Sequence, residues 1–489
     1  MKLIEILDGV DIVKSGCKDM DIDISDIAYN STKVSGGSMF VCLKGSNIDG
    51  HFFVKEAIDK GCKVIIAQQE LKVSFENVVI VKNTRKELAK MSCNFFGHPA
   101  SKLITVGITG TKGKTTTSHM IKSILEQNGD KVGVIGTMGV LLGDEVIKTE
   151  NTTPESYEIQ SHLSYMANSG CKYAVLEASS LGLKHHRLDG FKFNYGIFTN
   201  FSKDHVGTNE HEDMNDYFKS KCLLFKNSQV VFINRDDDKY LDVKKNSVCD
   251  VKTFGFGSSS DLYCSKTGLI VNQGYVGVEC KFISSNQEYD LKIPIPGRFS
   301  VYNALAACLF CEYVGIDVEI IQKGINKVRV KGRVEPVKVP GNYTLLIDYA
   351  HNAVSMENVL TTLREYKPNR LIVLFGAGGN RPRDRRYEMG EAAGKFADLS
   401  IITADNSRFE NVTDIIKDIE VGVQKSKGKY IVIPDRKKAI KYCLETARDG
   451  DIIVLAGKGH ETYQEINGVK YNFDEREIIN NILSESHLA

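Results

Sequence analysis

The chain has 489 residues, which is too many for one hydrophobic core and sets a prior of about three domains. Its 63 Lys and Arg residues nearly balance its 62 Asp and Glu residues, so it lacks the uniform positive field of proteins that coat nucleic acid or anionic lipid. No apolar run is long enough to span a bilayer, and the first residues lack the apolar stretch of a signal peptide. These features predict a cytoplasmic protein with neither nucleic-acid nor membrane partners.

The cysteines point to a reducing compartment. All twelve are scattered singly, apart from the close pair Cys308 and Cys311. Because that pair lies in an apolar helical run, we interpret both residues as small buried hydrophobic side chains rather than as a metal or redox site.

The first segment, residues 1–97, has the pattern of a small α/β domain. Short apolar runs predict strands, one stretch predicts a helix, and Gly97-His98-Pro99 is a typical break. The predicted strands are 39–43, 64–67 and 78–81, and the predicted helix is 53–60.

The second segment, residues 98–331, predicts a mainly parallel α/β sheet. It opens with the continuous apolar run 103–108, which is typical of a strand covered on both faces, and continues with a glycine-rich turn and a helix at 115–128. Helix-length spacers separate the later strand-like runs. Those runs are 173–176, 195–198 and 230–233, followed by a β meander at 254–295 and an amphipathic helix at 297–315.

The third segment, residues 332–489, predicts a second, Rossmann-like doubly wound sheet. Strand-like runs alternate with helical spacers along its whole length. The runs are 344–347, 371–374, 399–402, 430–433 and 451–455.

The glycine-rich turn of the second segment has the features of a phosphate-binding loop. Its backbone N–H groups and the following helix N-terminus can face one anion, Lys114 adds a charge for the β- and γ-phosphates, and Thr115 can offer its hydroxyl to Mg²⁺. The common phosphate-loop pattern has glycine where this chain has Ile108. The alternative is a glycine turn with a solvated lysine, but the order strand, turn, helix favours phosphate binding. The loop residues are Gly110, Thr111, Lys112, Gly113, Lys114, Thr115 and Thr116.

Polar residues also follow two later strands of this segment. Glu177 ends one strand, and Asp204-His205 comes shortly after another, at the sheet edge where α/β proteins bind ligands. Taken singly, each is more often a cap or a solvated turn. Together with the phosphate loop they favour Mg²⁺–nucleotide chemistry.

Three charged turns follow strands of the third segment. Arginines in such turns suit a carboxylate, and acids suit an amine, so the three turns predict a site for a small zwitterion. A solvated rim is the alternative. The turns are 375–381, 404–408 and 456–461.

With these motifs the chain resembles the Mur ligase family over nearly its whole length, and within the family it resembles the members that add a diamino acid. The resemblance implies an N-terminal domain for the UDP part, a central ATPase domain and a C-terminal amino-acid domain. The most specific motifs are 109–116, 151–154, Glu177 with Ser179-Ser180, Asp204-His205, Ser220-Lys221, 348–351 and 457–464.

The implied activity is an ATP- and Mg²⁺-dependent ligation. A diamino acid joins UDP-N-acetylmuramoyl-L-alanyl-D-glutamate through an acyl phosphate, as a step in cell-wall peptidoglycan synthesis, and the enzyme is expected to be a monomer. Lys114, Glu177, His205 and Lys221 match residues that carry the catalysis.

The resemblance also implies ligand-binding roles. Thr115, Glu177, His205 and Lys221 match metal ligands, Lys221 as a carbamylated side chain, and Asn303, Arg333 and Asp348 match the nucleotide site. Ser31 matches the uridine side. In the three charged turns, the residues that match the amino-acid pocket are Arg381, Asp405, Asn406, Arg408, Gly457 and Glu461. The acceptor dipeptide matches Asn151, Thr152, Thr153, Ser179, His185 and Arg187.

Some positions depart from the family pattern. Leu181 stands where the family usually has histidine, His185 replaces a glutamine-like contact, and 206–211 differs from the common form. Ser407 stands where a proline is usual, but Arg408 is kept, which favours meso-diaminopimelate with its second carboxylate over lysine.

Four alternatives remain. A lysine-adding paralogue and a non-catalytic nucleotide-binding relative fit the same motifs. A folylpolyglutamate synthase is disfavoured by the first 96 residues, and a simple P-loop kinase leaves the charged turns of the third segment unexplained.

Overall fold

A computed structural model describes residues 1–45, 48–204, 206–207, 210–272, 275–285 and 287–485. The chain forms two compact units. The first unit comprises Met1–Leu262 with Ala306–Ile320, and the second comprises Tyr263–Leu305 with Ile321–Ala489. The three-domain boundaries at 97/98 and 331/332 stay predictions.

The first unit begins with a five-stranded sheet in the order β1-β5-β4-β3-β2. Strands β3 and β4 are buried throughout because they consist of apolar residues covered on both faces, whereas β1 is an exposed antiparallel edge. The three predicted strands and the predicted helix are confirmed. The elements are α1 (Leu3–Ile6), β1 (Ile12–Ser15), β2 (Ile27–Ala28), β3 (Met39–Val41), α2 (Val54–Asp59), β4 (Val64–Ala67), β5 (Val78–Val81) and α3 (Thr84–Phe95), with 3-10 turns at Ser31–Lys33, Gly50–Phe53 and Pro99–Lys102.

The larger sheet of the first unit has the order β13-β12-β11-β6-β10-β7-β8-β9. Its strands are parallel except for β8 and β9, which pair antiparallel. The elements are β6 (Ile104–Thr109), α4 (Lys114–Gln127), β7 (Val132–Gly136), β8 (Gly139–Leu142), β9 (Glu145–Ile147), α5 (Ser156–Asn168), β10 (Tyr173–Glu177), α6 (Ser180–Lys184), β11 (Phe193–Phe198), α7 (Met214–Lys226), β12 (Ser228–Asn234), α8 (Tyr240–Asn246) and β13 (Asp250–Gly255).

The strand order of this sheet positions the candidate site. Strand β6 lies between β10 and β11, although the chain visits β7 first. The loops after β6, β10 and β11 therefore leave from neighbouring carboxyl ends, at a point where the strand order reverses. Ligands of doubly wound sheets bind at such points.

The second unit contains a β meander and a doubly wound sheet in the order β17-β18-β22-β19-β20-β21, parallel except for β17. Helices α9 and α10 each run across a boundary between the units. The elements are β14 (Leu262–Asn272), β15 (Tyr275–Ser284), β16 (Glu288–Ile293), α9 (Arg298–Tyr313), α10 (Val318–Lys327), β17 (Glu335–Val337), β18 (Thr344–Asp348), α11 (Ala353–Arg364), β19 (Leu371–Phe375), α12 (Asp384–Phe396), β20 (Leu399–Ile402), α13 (Val412–Lys425), β21 (Tyr430–Val432), α14 (Arg436–Thr446), β22 (Ile452–Ala456), β23 (Tyr463–Ile466), β24 (Val469–Asn472) and α15 (Glu475–Glu485).

This sheet is covered on both faces, as predicted for a doubly wound domain. Because successive strand residues point to opposite faces, Leu346 packs with α11, α12 and α13, and Ile347 packs with α14 and α15. The predicted meander and the helix after it are also present. The predicted α/β fold is thus confirmed.

The structure also describes the cysteines and the apolar character of the helices. All twelve cysteines are free thiols, and Cys308 and Cys311 are buried within α9. Within the described part of the chain, no helix has both the length and the apolar character that crossing a membrane requires.

Candidate functional site

The phosphate loop lies between β6 and the N-terminus of α4. Gly110 and Gly113 have φ values of +154° and +87°, and a Cβ on Gly110 would lie 1.9 Å from Thr199 Oγ1. Glycine is therefore required at Gly110 by space and at Gly113 by backbone conformation. The Nζ of Lys114 folds back to donate to Gly110 O (2.9 Å) and Thr111 O (3.3 Å). The loop thus places one cation beside the backbone turn that opens the helix.

The loop after β11 braces the phosphate loop from one side. Lys112 N donates to Asn200 Oδ1 (3.0 Å), and Asn200 Nδ2 donates back to Lys112 O (2.9 Å). Thr199 Oγ1 donates to the same carbonyl at 2.7 Å. Because its backbone groups are held this way, the loop keeps a fixed shape without a ligand.

Glu177, at the end of β10, is buried against the first turn of α4. Its Oε2 accepts hydrogen bonds from Thr115 Oγ1 (2.9 Å) and Thr137 Oγ1 (3.0 Å), and its Oε1 accepts one from Thr137 N (3.1 Å). A Cβ on Gly136 would lie 2.2 Å from Glu177 Oε1, so glycine there leaves room for the carboxylate. The structure therefore brings together the Thr115 and Glu177 that the sequence analysis selected.

Lys221 on α7 is fully buried beside the same loop. Its Nζ donates to Gly110 O (2.9 Å) and lies 4.4 Å from the centre of the Tyr217 ring. Burial, and then the nearby charge of Lys114, lower the pKa of Lys221 well below its ordinary value. Burial therefore favours the neutral amine form of this side chain over the ammonium form.

The oxygen donors around Glu177 fit Mg²⁺. The ion prefers hard oxygen ligands and is commonly held by one or two carboxylates together with the phosphates of a nucleotide. Thr115, Thr137 and Glu177 offer two hydroxyls and one carboxylate within hydrogen-bond distance of each other. Among the described residues, no three His, Cys, Asp or Glu side chains cluster as a metal site. His205, the remaining predicted metal ligand, lies outside the described residues.

The predicted acceptor residues surround the other side of Glu177. Thr152 Oγ1 lies 3.2 Å from Thr137 Oγ1, and Thr153 Oγ1 donates to Glu177 O (2.7 Å). Ser179 caps α6 by accepting from Gly182 N (3.1 Å), and its own N–H donates to Thr153 Oγ1 (3.0 Å). These side chains therefore lie next to the Thr115–Glu177 pair.

Arg187 extends this region with positive charge. Its Nη1 donates to Thr153 O (2.9 Å), and its Nη2 lies 2.8 Å from Glu155 Oε1. Arg85, from α3, donates to both oxygens of Glu155 at 2.9 and 3.0 Å. Burial, and then the charges of Arg85 and Arg187, lower the pKa of His185. Two guanidiniums thus share one carboxylate, which leaves a cationic surface suited to an acidic peptide.

Two other predicted substrate residues have few side-chain contacts with this region. Asn151 is exposed, and its carbonyl accepts from Thr149 Oγ1 (3.1 Å). Ser31 is buried in the N-terminal sheet region, where its carbonyl accepts from Lys60 Nζ (2.8 Å). Both roles stay predictions.

In the second unit, the three charged turns line one cavity of about 170 Å³. All six residues predicted for the amino-acid pocket contribute to its wall, although up to 80 residues separate them along the chain. They are Arg381, Asp405, Asn406, Arg408, Gly457 and Glu461.

A buried lysine organises the acidic side of this cavity. Lys458 Nζ donates to Asn406 Oδ1 (3.1 Å) and lies 3.4 Å from Asp405 Oδ1 and 3.7 Å from Glu461 Oε2. Burial opposes ionisation of Asp405, but the charges of Lys458 and Arg436 hold its pKa below the ordinary value. For Glu461, burial and the charge of Asp405 raise the pKa. Asp405 is therefore the fixed negative charge of the cavity.

Two arginines also line the cavity. Arg408 has a φ of +51°, and its Nη1 donates to Gly379 O (2.6 Å) while its Nε lies 3.4 Å from Glu465 Oε2. Arg381 is exposed. A wall that contains both guanidiniums and acids suits a ligand that carries both carboxylate and ammonium groups.

Two predicted nucleotide residues of the second unit, Arg333 and Asp348, lie near residues of this cavity. Asp348, at the end of β18, accepts from Val334 N and Ala350 N, both at 2.8 Å, and burial raises its pKa. The Arg333 guanidinium lies 5.3 Å from the centre of the Tyr349 ring, which also lines the cavity. Asn303 lies in α9 and is buried. Their contacts with a nucleotide stay predictions.

Sequence reasoning missed several residues of both sites. Glu155 follows no strand-end glycine, and Arg85 comes from a distant helix, so no local signal marks these two residues. Thr137 directly follows Gly136 at the end of β7, and this strand-end glycine could have indicated it. Lys458 stands inside a selected glycine turn and could have been found by asking what neutralises two buried acids there. Arg385 and His351 also line the cavity.

Comparison with known proteins gives a consistent result along the chain. Three family models match: the Mur ligase middle domain over residues 108–311, the Mur ligase glutamate ligase domain over 332–459, and the Mur ligase family catalytic domain over 23–93.

Relatives match over their full length. A UDP-N-acetylmuramoyl-L-alanyl-D-glutamate–2,6-diaminopimelate ligase of Caldanaerobacter subterraneus subsp. tengcongensis is 41% identical over 488 residues, which cover 99% of this chain and 100% of the relative. The ligase of the same name from Clostridioides difficile is 38% identical, over 99% of this chain and 100% of the relative. A solved structure of such a ligase superposes with a TM-score of 0.72 at 28% identity, covering 100% of this chain and 99% of the other. By its sequence, its fold and the motifs at its candidate sites, the chain belongs to the Mur ligase family.

Proposed function

We propose that the chain is an ATP-dependent ligase that joins meso-diaminopimelate to the D-glutamyl carboxylate of UDP-N-acetylmuramoyl-L-alanyl-D-glutamate. The full-length relatives bear the name of this activity. The observation that carries the proposal is the cavity of the second unit, whose wall contains both acids, Asp405 and Glu461, and arginines, Arg381 and Arg408. A ligand with two carboxylates and two ammonium groups matches both kinds of charge.

The first chemical step activates a carboxylate. The γ-phosphoryl of ATP is transferred to a carboxylate oxygen of the acceptor, which forms an acyl phosphate and releases ADP. Lys114 and the loop N–H groups would bind the phosphates and stabilise the charge on the transferred phosphoryl group. Thr153, Ser179 and Arg187, which contact one another, would hold the acceptor.

The second step forms the amide. An amine of the incoming amino acid attacks the carbonyl carbon of the acyl phosphate, the C–O bond to phosphate breaks, and the amine loses a proton. Asp405, Asn406 and Glu461 orient the amino acid through its ammonium group, and the arginines hold its carboxylates.

Thr115 and Glu177 would hold Mg²⁺, with Lys221 as a further ligand after carbamylation. The ion supplies charge neutralisation for the phosphates. Lys221 suits carbamylation because a buried neutral amine has a free electron pair with which to form an N–C bond to CO₂. Release of one proton turns the amine into a carboxylate-like oxygen donor. An intact-mass gain of one CO₂ that vanishes in Lys221→Met would support this role.

The experiment that tests the proposed function measures phosphate release. The purified chain is incubated with ATP, Mg²⁺ and the UDP-muramoyl dipeptide, and diaminopimelate, lysine, ornithine and diaminopropionate are supplied in turn. We expect ADP and phosphate only when both acceptor and diaminopimelate are present. AMP as a product would contradict the acyl phosphate, and a preference for lysine would favour the lysine-adding paralogue.

Nucleotide binding without acceptor-dependent hydrolysis would favour the non-catalytic relative. The expectations of a cytoplasmic location, a monomeric state and no nucleic-acid partner stay predictions.

A further inference from the structure

Three side chains of the first unit, Ser180, His211 and Asp216, form a chain of hydrogen bonds that the proposed reaction does not use. His211 Nε2 lies 2.9 Å from Ser180 Oγ, and His211 Nδ1 lies 2.9 Å from Asp216 Oδ2. The imidazole is completely buried, and Ser180 is 5% exposed. A buried imidazole with both nitrogens engaged has one orientation, so the chain of contacts is rigid.

The direction of the hydrogen bonds follows from the charge on Asp216. Burial opposes its ionisation, but hydrogen bonds from Lys184, His211 and the Glu212 N–H lower the pKa of Asp216 to about 2. An ionised carboxylate accepts only, so His211 Nδ1 carries the hydrogen. Burial also lowers the pKa of His211 despite Asp216, which favours the neutral ring, and in that form Nε2 accepts from the Ser180 hydroxyl.

The two ends of this chain belong to different parts of the candidate site. Ser180 begins α6, directly after Ser179 and three residues after Glu177. Asp216 lies in the first turn of α7, whose next residue, Tyr217, donates to Thr111 Oγ1 (3.2 Å). One turn further on, Lys221 donates to Gly110 O. A path of direct contacts therefore runs from the acceptor side of the site, through α7, to the phosphate loop.

We propose that Ser180, His211 and Asp216 are positioning residues that hold the acceptor-side turn, Ser179–Ser180, against helix α7. This inference rests on the proposed function, since it assumes that the turn binds the acceptor. Because Ser179 caps α6 and its N–H donates to Thr153, a shift of Ser180 moves the groups that meet the acceptor. The phosphate loop keeps its own braces from Asn200 and Thr199. Loss of the contact therefore weakens acceptor binding more than ATP binding.

The same order of contacts occurs in Ser-His-Asp hydrolases, where the serine is a nucleophile. Here the hydroxyl is buried, which leaves no access for a substrate, so we assign it no covalent role. A fluorophosphonate probe is expected to leave Ser180 unlabelled. Labelling of Ser180 that is lost in His211→Asn would overturn the positioning role.

The main test compares Ser180→Ala, His211→Asn and the double variant by steady-state kinetics. Asparagine can still donate to Asp216 but is too short to reach Ser180. We expect each single variant to raise KM for the UDP-muramoyl dipeptide about tenfold, while KM for ATP changes less than about twofold. The double variant is expected to match the single ones because both remove the same contact. Ser180→Thr, which keeps the hydroxyl, is expected to restore most of the affinity.

His186 provides a matched control. It also pairs through Nδ1 with an aspartate, Asp189 (2.8 Å), but on the partly exposed side of the same segment. Its φ of +57° is one that asparagine tolerates, so His186→Asn is expected to keep wild-type constants.

Each outcome separates the inference from the proposed function. If the wild type ligates and both single variants keep its KM for the acceptor, the inference is wrong and the function stands. If KM for ATP rises as much as KM for the acceptor, the contact supports the whole site and the inference is also wrong. If the wild type does not ligate at all, the proposed function itself fails. Should His211→Asn not fold, Ser180→Ala and Ser180→Thr complete the test.

Discussion

The phosphate loop of the first unit and the amino-acid cavity of the second unit are built in different ways. The loop is one local segment whose candidate phosphate-binding groups are backbone N–H groups and one lysine, Lys114. Glu177 and Lys221 contact this segment from adjacent elements. The cavity draws charged side chains from three turns, and a buried lysine holds two acids on one side of it.

The difference shows where each site is vulnerable. Backbone geometry and the braces from Thr199 and Asn200 determine the shape of the loop, so a charge substitution that spares them is expected to act mainly through charge. Side-chain ion pairs set the cavity, so removing one partner leaves a buried charge uncompensated. Charge changes at the loop are therefore expected to alter chemistry, and charge changes behind the cavity are expected to alter stability and affinity together.

The largest expected effect is on the loop. Lys114→Ala removes the cation beside the phosphates, so we expect kcat to fall about 10³-fold or more, with an unchanged melting temperature. Steady-state phosphate release measures it. Lys122→Ala, on the same helix and paired with Glu126, is the control and is expected to keep wild-type turnover. Near-normal activity of Lys114→Ala would show that the charge of Lys114 does not act in phosphoryl transfer.

The next largest effect is on the support of the cavity. Arg436 is fully buried, pairs with Glu475 (2.8 Å) and donates to Ala404 O and Ala456 O, which precede two of the charged turns. Arg436→Met leaves Glu475 unpaired, and we expect a loss of about 3–5 kcal/mol in the free energy of unfolding. Urea denaturation followed by fluorescence measures it.

An exposed ion pair of the same unit controls for charge loss alone. Lys425→Met breaks the pair with Glu391, and a loss of less than about 1 kcal/mol is expected there. Equal losses in the two variants would show that the buried pair behind the cavity contributes no more to stability than an exposed pair.

A smaller effect is expected on specificity. Arg408→Ala removes a guanidinium from the cavity wall, so kcat/KM for diaminopimelate should fall about 10–100-fold, while the weak use of lysine changes little. Competition between the two amino acids in the phosphate-release assay measures the ratio. Arg364→Ala, which breaks the exposed pair with Asp398, serves as the control. An equal fold loss of kcat/KM for both amino acids would mean that Arg408 does not bind the second carboxylate of diaminopimelate.

The smallest effect concerns pH. Burial, and then the charges of Arg333, Arg476 and Lys331, lower the pKa of His460 from 6.5 to about 4. Between about pH 6.5 and 4 the unfolded chain binds a proton on His460 and the folded chain does not. The free energy of unfolding therefore falls as pH drops through this range. His460→Gln is expected to flatten this loss in urea midpoints measured at pH 7 and pH 5. An unchanged slope would show that His460 titrates normally in the folded state.

Much of the fold could be predicted because its signals are local. The strands β4, β5 and β10 were predicted to within one residue, since continuous apolar runs between polar turns are sufficient to mark buried strands. The phosphate loop was predicted for the same reason, because its glycines and lysine are neighbours in the chain.

Contacts between distant residues were not predictable in this way. The bonds of Glu155 with Arg85 and Arg187, and of His211 with Ser180, join residues 31 to 70 positions apart that no periodicity links. The gathering of six predicted residues around one cavity followed from strand order, but the part played by Lys458 behind them did not.

By itself, the sequence determined the alternation of strands and helices, the phosphate loop and the chemical types present at each strand end. Backbone propensity and hydrophobic pattern act over a few residues, so they can be read without knowing the partners. The tertiary structure decided which polar and charged side chains contact each other. These contacts are Glu177 with Thr115 and Thr137, Lys458 with Asp405 and Glu461, and His211 with Ser180 and Asp216. Whether a buried polar group is stable depends on its partners, and packing of the sheets and helices alone brings those partners within reach.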